Sequence, residues 1–132
     1  HARMCDTIRI QVFFRTAPGE AGHISFTLKN RFDQVVSSTG TYLMGLEACS
    51  SGSAPFAVAE FEVGLMLEAG LYSLMFAYGQ PTQENQGKMI DNTGWIGPLH
   101  IEWDYEGKRA PFLGMFGLPV RAKLVSSEEL TK

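Results

Sequence analysis

One stretch of the chain, residues 56–78, constrains the fold more than any other: FAVAEFEVGLMLEAGLYSLMFAY. It contains two apolar runs with the alternation of β-strands, separated by the short connection Glu68-Ala69-Gly70. Two such runs joined by three residues that include a glycine predict a β-hairpin, because glycine readily adopts the positive φ of a tight turn. We expect this hairpin to lie at the centre of a sheet and to bury four of its side chains: Phe61, Val63, Leu74 and Phe76.

A helix is the alternative for the same stretch, because Ala, Glu, Leu and Met are good helix formers. Met66 and Ala69 also interrupt the strand-like alternation. Gly64 and Gly70 weigh against a long helix, and the aromatic-rich second half favours a strand. The pattern therefore favours the hairpin.

Two strands are predicted before this stretch, at residues 7–16 and 22–31, because apolar and polar side chains alternate there with a period of two. We expect one face of each strand to lie in the core: Ile8, Ile10, Val12, Phe14, Ile24, Phe26 and Leu28. The opposite faces carry mostly polar side chains: Arg9, Gln11, Phe13, Arg15, His23, Ser25, Thr27 and Lys29.

The remaining segments extend the same pattern of short strands and turns. Residues 35–42 and 95–105 are predicted strands, and residues 112–125 are a last extended run that glycines and Pro119 interrupt. Residues 46–55 are predicted to form a surface loop. Residues 79–94 are polar and are predicted to form the longest loop, a length that is often functional in a compact domain.

These elements predict an all-β antiparallel sandwich of about seven to nine short strands. The 132 residues suffice for one domain with its own core, which we assign to residues 4–125. Residues 126–132 form a polar tail. Residues 1–3 precede Met4 and are interpreted as a cloning remnant, so they are left out of the predicted fold.

Charge and cysteine content narrow the classes of partner. The net charge of −3 argues against a nucleic-acid partner, which needs a basic face. No apolar run has the length of a transmembrane helix, and no cofactor is expected. Cys5 and Cys49 are too few for a disulfide scaffold, so we expect free, buried thiols in a reducing compartment, with a single bridge as the alternative.

Several motifs, in order along nearly the whole chain, carry a family resemblance. They are the opening strand at residues 8–15, the segment ISFTLKNRFDQVV at 24–36, Phe61-Glu62-Val63, the hairpin LEAGLY at 67–72, and the closing GMFGLP at 114–119. Together they resemble the C-terminal carbohydrate-binding domain of the ATPase subunit of bacterial O-antigen polysaccharide ABC exporters, the Wzt type. Ala69 stands where the family usually has proline, and Gln34 where it often has glycine.

The resemblance implies an immunoglobulin-like, jelly-roll-like sandwich that binds the O-antigen of Gram-negative lipopolysaccharide before export. It implies a cytoplasmic location, at the inner face of the inner membrane through the exporter complex. The implied partners are the polysaccharide, the parent ATPase domain, the transmembrane exporter subunit and a second copy in a homodimer. The chain has no phosphate-binding G-x-x-x-x-G-K-[ST] motif, which agrees with an ATPase domain lying upstream and outside it.

Sugar binding requires aromatic rings that stack on C–H faces and planar polar groups that bond hydroxyls. If the strands at 7–16 and 22–31 pair side by side, their outer faces form one such patch: Arg9, Gln11, Phe13, Arg15, His23, Ser25 and Thr27. We expect Gln11 and His23 to bond hydroxyls, Phe13 to stack, and Arg9 or Arg15 to meet an acidic group. An ordinary solvated sheet face is the alternative, against which the exposed Phe13 argues.

The predicted long loop is a second candidate for the site, with Asn85, Asp91, Asn92 and the following Trp95. Its amide, carboxylate and indole groups suit a sugar. The alternative is a mobile connection without a binding role.

Metal and catalytic sites are also considered and set aside. His100, Glu102 and Asp104 alternate on one strand, but ligands at i and i+2 lie roughly 7 Å apart and need others from elsewhere. The pair Glu60 and Glu62 is on one strand too, whereas a glycosidase opposes two carboxyls across a cleft. We therefore expect a non-catalytic polysaccharide-binding module, with a structural or dimerisation domain as the alternative and a glycan-active enzyme third.

Overall fold

The computed structural model of the chain describes residues 2–81, 87–103 and 109–126. Within these ranges it contains eight strands and no helix, so the all-β prediction is confirmed. The strands are β1 (Ala2–Arg3), β2 (Thr7–Phe14), β3 (His23–Asn30), β4 (Val35–Gly40), β5 (Ala57–Gly64), β6 (Gly70–Pro81), β7 (Gly87–Asn92) and β8 (Ile96–Glu102).

The eight strands form two sheets. The large sheet has the order β1-β8-β6-β3-β4, with β7 pairing the far end of β6, and the small sheet consists of β2 and β5. The paired strands are antiparallel apart from β1 and β8, which run parallel, so the prediction of a purely antiparallel sandwich is wrong for that pair.

The core lies between the inner faces of the two sheets. The ring of Phe61, on the small sheet, meets that of Phe26, on the large sheet, at a centroid distance of 5.1 Å with an interplanar angle of 71°. The predicted alternation is confirmed in both strands: Ile24, Phe26 and Leu28 of β3 are buried and the side chains between them are not, and in β2 partly buried and exposed residues alternate. Of the four predicted core residues, Phe61 is buried, and the others are partly buried against the same clusters.

The predicted hairpin at residues 56–78 is wrong, although both of its strands exist. β5 pairs β2 in the small sheet, and β6 pairs β3, β7 and β8 in the large one, so the connection crosses from sheet to sheet. The connection has backbone partners of its own, because Glu68 N–H donates to Met115 O at 3.0 Å and Leu67 bridges Phe116. An alternating pattern fixes which side chains face inward but not which strand lies beside them.

Two further predictions are corrected. The predicted long loop at 79–94 is largely a pair of strands, because β6 continues to Pro81 and β7 returns at Gly87, with residues 82–86 outside the described ranges. The run at 112–125 forms no strand within the described residues and is held there by the isolated bridge at Phe116. Its glycines and Pro119 explain this, because they weaken or remove ladder hydrogen bonds.

The first residues belong to the fold. Ala2 and Arg3 pair with Ile101 and Glu102, and the side chains of Ala2 and Met4 lie in the core. The interpretation that residues 1–3 can be left out is therefore wrong for Ala2 and Arg3. A buried apolar side chain next to Ile101, which is fully buried, stabilises the edge of the large sheet.

Both cysteines are free thiols, as expected, but both are exposed rather than buried. We expect a thiol reagent such as Ellman's reagent to modify Cys5 and Cys49 in the folded protein, without denaturant or reductant, because an exposed thiol is accessible. Spectrophotometric counting of thiols checks this. A protein that releases no colour in denaturant, and does so only after it has been reduced and freed of the reductant, would contain a disulfide.

Candidate functional site

The two sets of outward side chains predicted to form one patch lie on opposite surfaces. Arg9, Gln11, Phe13 and Arg15 follow the outer face of the small sheet, whereas His23, Ser25 and Thr27 lie on the outer face of the large sheet. The side-by-side pairing of the first two predicted strands is wrong, because β2 pairs β5 while β3 pairs β4 and β6. The structure therefore presents two separate candidate surfaces.

The polar groups of the small-sheet surface are engaged with one another. Arg9 lies 3.2 Å from a carboxylate oxygen of Glu60 and 3.8 Å from one of Glu62. Gln11 donates from Nε2 to Glu60 at 3.0 Å, and Arg15 donates from Nε to the carbonyl oxygen of Pro55 at 3.0 Å. A sugar on this surface would compete with carboxylates for Arg9 and Gln11.

Phe13 has a partner that its sequence neighbours do not reveal. Phe13 is 60% exposed, and its ring meets that of Phe56 in an edge-to-face contact at 5.3 Å. Val58 lies directly opposite Phe13 on β5 and is exposed as well. The three side chains form a small apolar patch at one end of the small sheet.

The outer face of the large sheet has a floor of small residues. Ser25 lies between Gly40 and Ala77, and Thr27 lies beside Ser38, whose hydroxyl is 2.9 Å from its own. Gly40 is required there, because an added Cβ would lie 2.6 Å from the carbonyl oxygen of Ile24. Small side chains and a close backbone leave a shallow depression over the centre of this face.

His23 and Tyr42 border this floor at one end, and we call these two side chains the wall. Nδ1 of His23 is 2.9 Å from the hydroxyl of Thr41, and the His23 ring meets the Tyr42 ring at 5.3 Å in an edge-to-face contact. The turn that carries Tyr42 is closed by backbone bonds from Met44 to Gly40 and from Leu46 to Thr41. Tyr42 is therefore held in place although it is 44% exposed.

Floor and wall together enclose a cavity of about 220 Å³. This volume is far more than the roughly 30 Å³ that one water occupies in the liquid. The side chains around it include His23, Ser25, Ser38, Tyr42, Leu43 and Gln80. Sequence reasoning missed Tyr42 and Leu43; the signal available was an apolar cluster directly after Gly40, in a segment predicted as strand and loop.

Trp95 stands on the same face, at the opposite end. The Lys29 ammonium lies 4.2 Å from the centre of the Trp95 ring and 2.8 Å from a carboxylate oxygen of Asp33. Trp95 is 44% exposed. The structure thus joins parts of the two candidate sites, because Trp95 shares a surface with His23, Ser25 and Thr27. Asn85 lies outside the described residues.

The positions considered for a metal or a glycosidase show no such arrangement within the described residues. Nδ1 of His100 is 3.7 Å from a carboxylate oxygen of Glu102, and Asp104 lies outside the described ranges. No three potential ligands come together in the described part of the chain. Glu60 and Glu62 share Arg9 on one strand face, so they do not oppose each other across a cleft.

Among the comparisons with known proteins, the match is to a solved structure and not to a family model or a curated sequence. No family model matches the chain, and no curated protein sequence matches it either. Within the described ranges, no helix has the length and apolar character to cross a membrane.

A solved structure does match. It is a crystal structure of the C-terminal domain of Wzt, with a TM-score of 0.68 and 17% sequence identity, and the alignment covers 94% of this chain and 73% of that one. At this identity the match establishes the fold, and it confirms at that level the resemblance found in the sequence. The chain has the β-sandwich fold of the C-terminal domain of Wzt.

Proposed function

We propose that this domain binds the O-antigen polysaccharide of Gram-negative bacteria, without catalysis, and couples it to export by an ABC transporter. The observation that carries the proposal is the cavity on the outer face of the large sheet, which the hydroxyls of Ser25 and Ser38, the imidazole of His23 and the ring of Tyr42 line together. The shared fold with the C-terminal domain of Wzt supports the same class of function.

The shape of this face suits a polymer. Tyr42 is at the His23 end of β3, and Trp95 is at the Lys29 end. Six residues of an extended strand separate these ends, a distance of about 20 Å. Two stacking platforms at such a spacing would contact different sugar units of one chain, which a site for a single small molecule does not need.

Each group has a defined role in this proposal. The Tyr42 and Trp95 rings stack on the C–H faces of sugars, and the floor of Ser25 and Thr27 donates and accepts hydrogen bonds with hydroxyls. Nδ1 of His23 is 2.9 Å from the Thr41 hydroxyl, and in this proposal the other ring nitrogen bonds the ligand. These contacts are individually modest, so a short glycan should bind weakly and a longer one more tightly.

The proposed location and partners are those implied by the resemblance to the C-terminal domain of Wzt-type exporters. The domain would act on the cytoplasmic side of the inner membrane, with its parent ATPase domain, the transmembrane exporter subunit and a second copy in a homodimer. A structural or dimerisation role without glycan binding is the second candidate. The exposed patch of Phe13, Phe56 and Val58 favours it, because an apolar surface of this kind suits a protein partner.

We expect Tyr42→Ala, His23→Ala and Trp95→Ala each to weaken binding of the recognised polysaccharide on the order of tenfold, about 1.4 kcal/mol. Each variant removes a group at one end of the large-sheet face. Isothermal titration calorimetry against purified O-antigen polysaccharides measures the effect. Melting temperatures identify any variant that has lost its fold.

Phe13→Ala is the matched control, because it removes an exposed aromatic ring from the opposite surface. It should bind polysaccharide normally. If Phe13→Ala alone lost binding, the site would lie on the small sheet and our placement would be wrong. If no polysaccharide bound the parent protein while Phe13→Ala changed its oligomeric state by light scattering, the dimerisation role would replace the proposal.

A further inference from the structure

Thr41, directly after β4, connects His23 to the core of the sandwich. Its hydroxyl oxygen accepts the Ile24 N–H at 3.2 Å, and its backbone N–H donates to the Ile24 carbonyl oxygen at 2.9 Å. Ile24 is 3% exposed, so these two bonds fix Thr41 against a buried residue. The same hydroxyl oxygen lies 2.9 Å from Nδ1 of His23.

These contacts determine where the hydroxyl proton of Thr41 goes. A hydroxyl has one proton and two lone pairs, and here one lone pair accepts the Ile24 N–H, which can only donate. Among the described residues, Nδ1 of His23 is the acceptor within reach of the proton. Nδ1 accepts only when it is unprotonated, so the neutral imidazole carries its own proton on Nε2. The opposite tautomer would leave the Thr41 proton without a protein acceptor.

The cavity beside His23 has two polar groups that are still available. In the described part of the chain, Nε2 of His23 and the Ser25 hydroxyl have no hydrogen-bond partner, and neither is a buried atom, so both are accessible to solvent. An added Cβ at Gly40 would lie 2.8 Å from the Cβ of Ser25, so the glycine keeps space open beside this hydroxyl. The cavity therefore offers a fixed N–H donor and a hydroxyl that can accept.

The remaining border of the cavity is apolar and uncharged. Tyr42 and Leu43 stand on the turn after β4, and Leu43 is 73% exposed. The described residues that line the cavity include no Asp, Glu, Lys or Arg. A carboxylate or an ammonium group bound there would lose hydration without gaining an ion pair, which is costly. The lining therefore favours a neutral group that combines an acceptor, a donor and an apolar end.

We propose that Thr41 fixes His23 as a hydrogen-bond donor and that the cavity beside it takes the acetamido group of an N-acetylated sugar. The acetamido carbonyl oxygen accepts from Nε2 of His23, and its N–H donates to the Ser25 hydroxyl. Its methyl group packs on Tyr42 and Leu43. A plain sugar hydroxyl can accept from Nε2 but leaves the apolar border uncovered. Thr41 touches no ligand in this arrangement and is a positioning residue.

The first test is the tautomer of His23 in the free protein. A long-range nitrogen–proton NMR spectrum of the histidine rings at about pH 9, where imidazoles are neutral, distinguishes a protonated from an unprotonated ring nitrogen. The chain has three histidines, and His23→Gln identifies the signals of this one. We expect Nε2 of His23 to carry the proton and Nδ1 to be unprotonated.

The second test is an NMR titration of the parent protein with glycosides that differ in one group. Methyl N-acetyl-β-glucosaminide carries an acetamido group where methyl β-glucoside carries a hydroxyl, and the corresponding galactosides form a second pair. We expect the acetamido member of at least one pair to shift the backbone amide signals of Ser25, Gly40 and Tyr42. It should bind about five- to tenfold more tightly than its counterpart, the usual contribution of an added hydrogen bond with a methyl contact.

Three variants separate the positioning role from a merely structural one. Thr41→Val keeps the shape but removes the hydroxyl, so the second tautomer of His23 should become populated and the acetamido preference should fall. Its melting temperature should fall as well, because the Ile24 N–H loses its acceptor. Thr41→Ser keeps the hydroxyl and should restore both the tautomer and the preference. Leu43→Ala should lower the preference about two- to fourfold and leave the tautomer unchanged.

The proposal rests on the proposed function for the class of ligand, yet the two can fail separately. It is overturned if Nδ1 of His23 carries the proton, if no acetamido glycoside binds more tightly than its counterpart, or if the shifted signals lie away from His23. Polysaccharide binding that depends on Tyr42 but shows no acetamido preference would overturn this proposal alone. An acetamido preference in a protein that binds no polysaccharide would support it and would overturn the proposed function.

Discussion

Phe61→Ala is expected to lower the free energy of unfolding by about 3–5 kcal/mol, the usual loss for a buried phenylalanine. Phe61 is 4% exposed, and its ring packs across the gap between the sheets on Phe26 at 5.1 Å. Within the small sheet it lies opposite Ile10 of β2, which packs against the same cluster. The substitution removes one of the rings that pack between the two sheets and leaves a cavity in its place.

Urea denaturation monitored by tryptophan fluorescence measures this loss. Phe13→Ala is again the matched control, because it deletes the same side chain from the opposite face of the small sheet, where Phe13 is 60% exposed. We expect the control to lose less than about 1 kcal/mol. A loss below 1 kcal/mol for Phe61→Ala would mean that the inter-sheet core does not depend on it.

The faces of the strands could be predicted from the sequence because the period of two is a local property. Ile24, Phe26 and Leu28 are buried and Ser25 and Thr27 are not, and this follows from alternation alone. The partners of the strands are not a local property. Both sheets offer an apolar inner face, so the alternation of β2 is equally compatible with pairing to β3 or to β5.

Because strand pairing is not a local property, the location of the candidate site could be predicted only in part. The sequence pointed to residue types suited to sugars, but not to which of two surfaces each would occupy. His23 and Trp95, far apart in sequence and predicted to be in different sites, share one face because β3 and the start of β8 flank β6 in the large sheet. Tyr42 was missed because its position beside His23 depends on the turn after β4, which the sequence of that segment does not predict.

The local sequence pattern also could not predict that the connection between β5 and β6 crosses from one sheet to the other. Glu68-Ala69-Gly70 has the composition of a hairpin turn, and Gly70 does adopt a φ of 155°. Its backbone, however, is bound by segments far away in sequence: Gly117 N–H donates to Met66 O at 2.9 Å, and Leu65 exchanges two bonds with Cys5 and Asp6. These contacts at both sides direct the chain from one sheet to the other.

Leu65→Ala should therefore destabilise the protein by about 2–5 kcal/mol. Leu65 is 1% exposed at the crossing point, and its side chain packs in the cluster that contains Leu28, Tyr72 and Ile101. Leu43→Ala makes the same chemical change on a residue that is 73% exposed, so it should cost less than about 1 kcal/mol. Urea denaturation of both variants gives the comparison, and equal losses would show that Leu65 does not anchor the connection between the sheets.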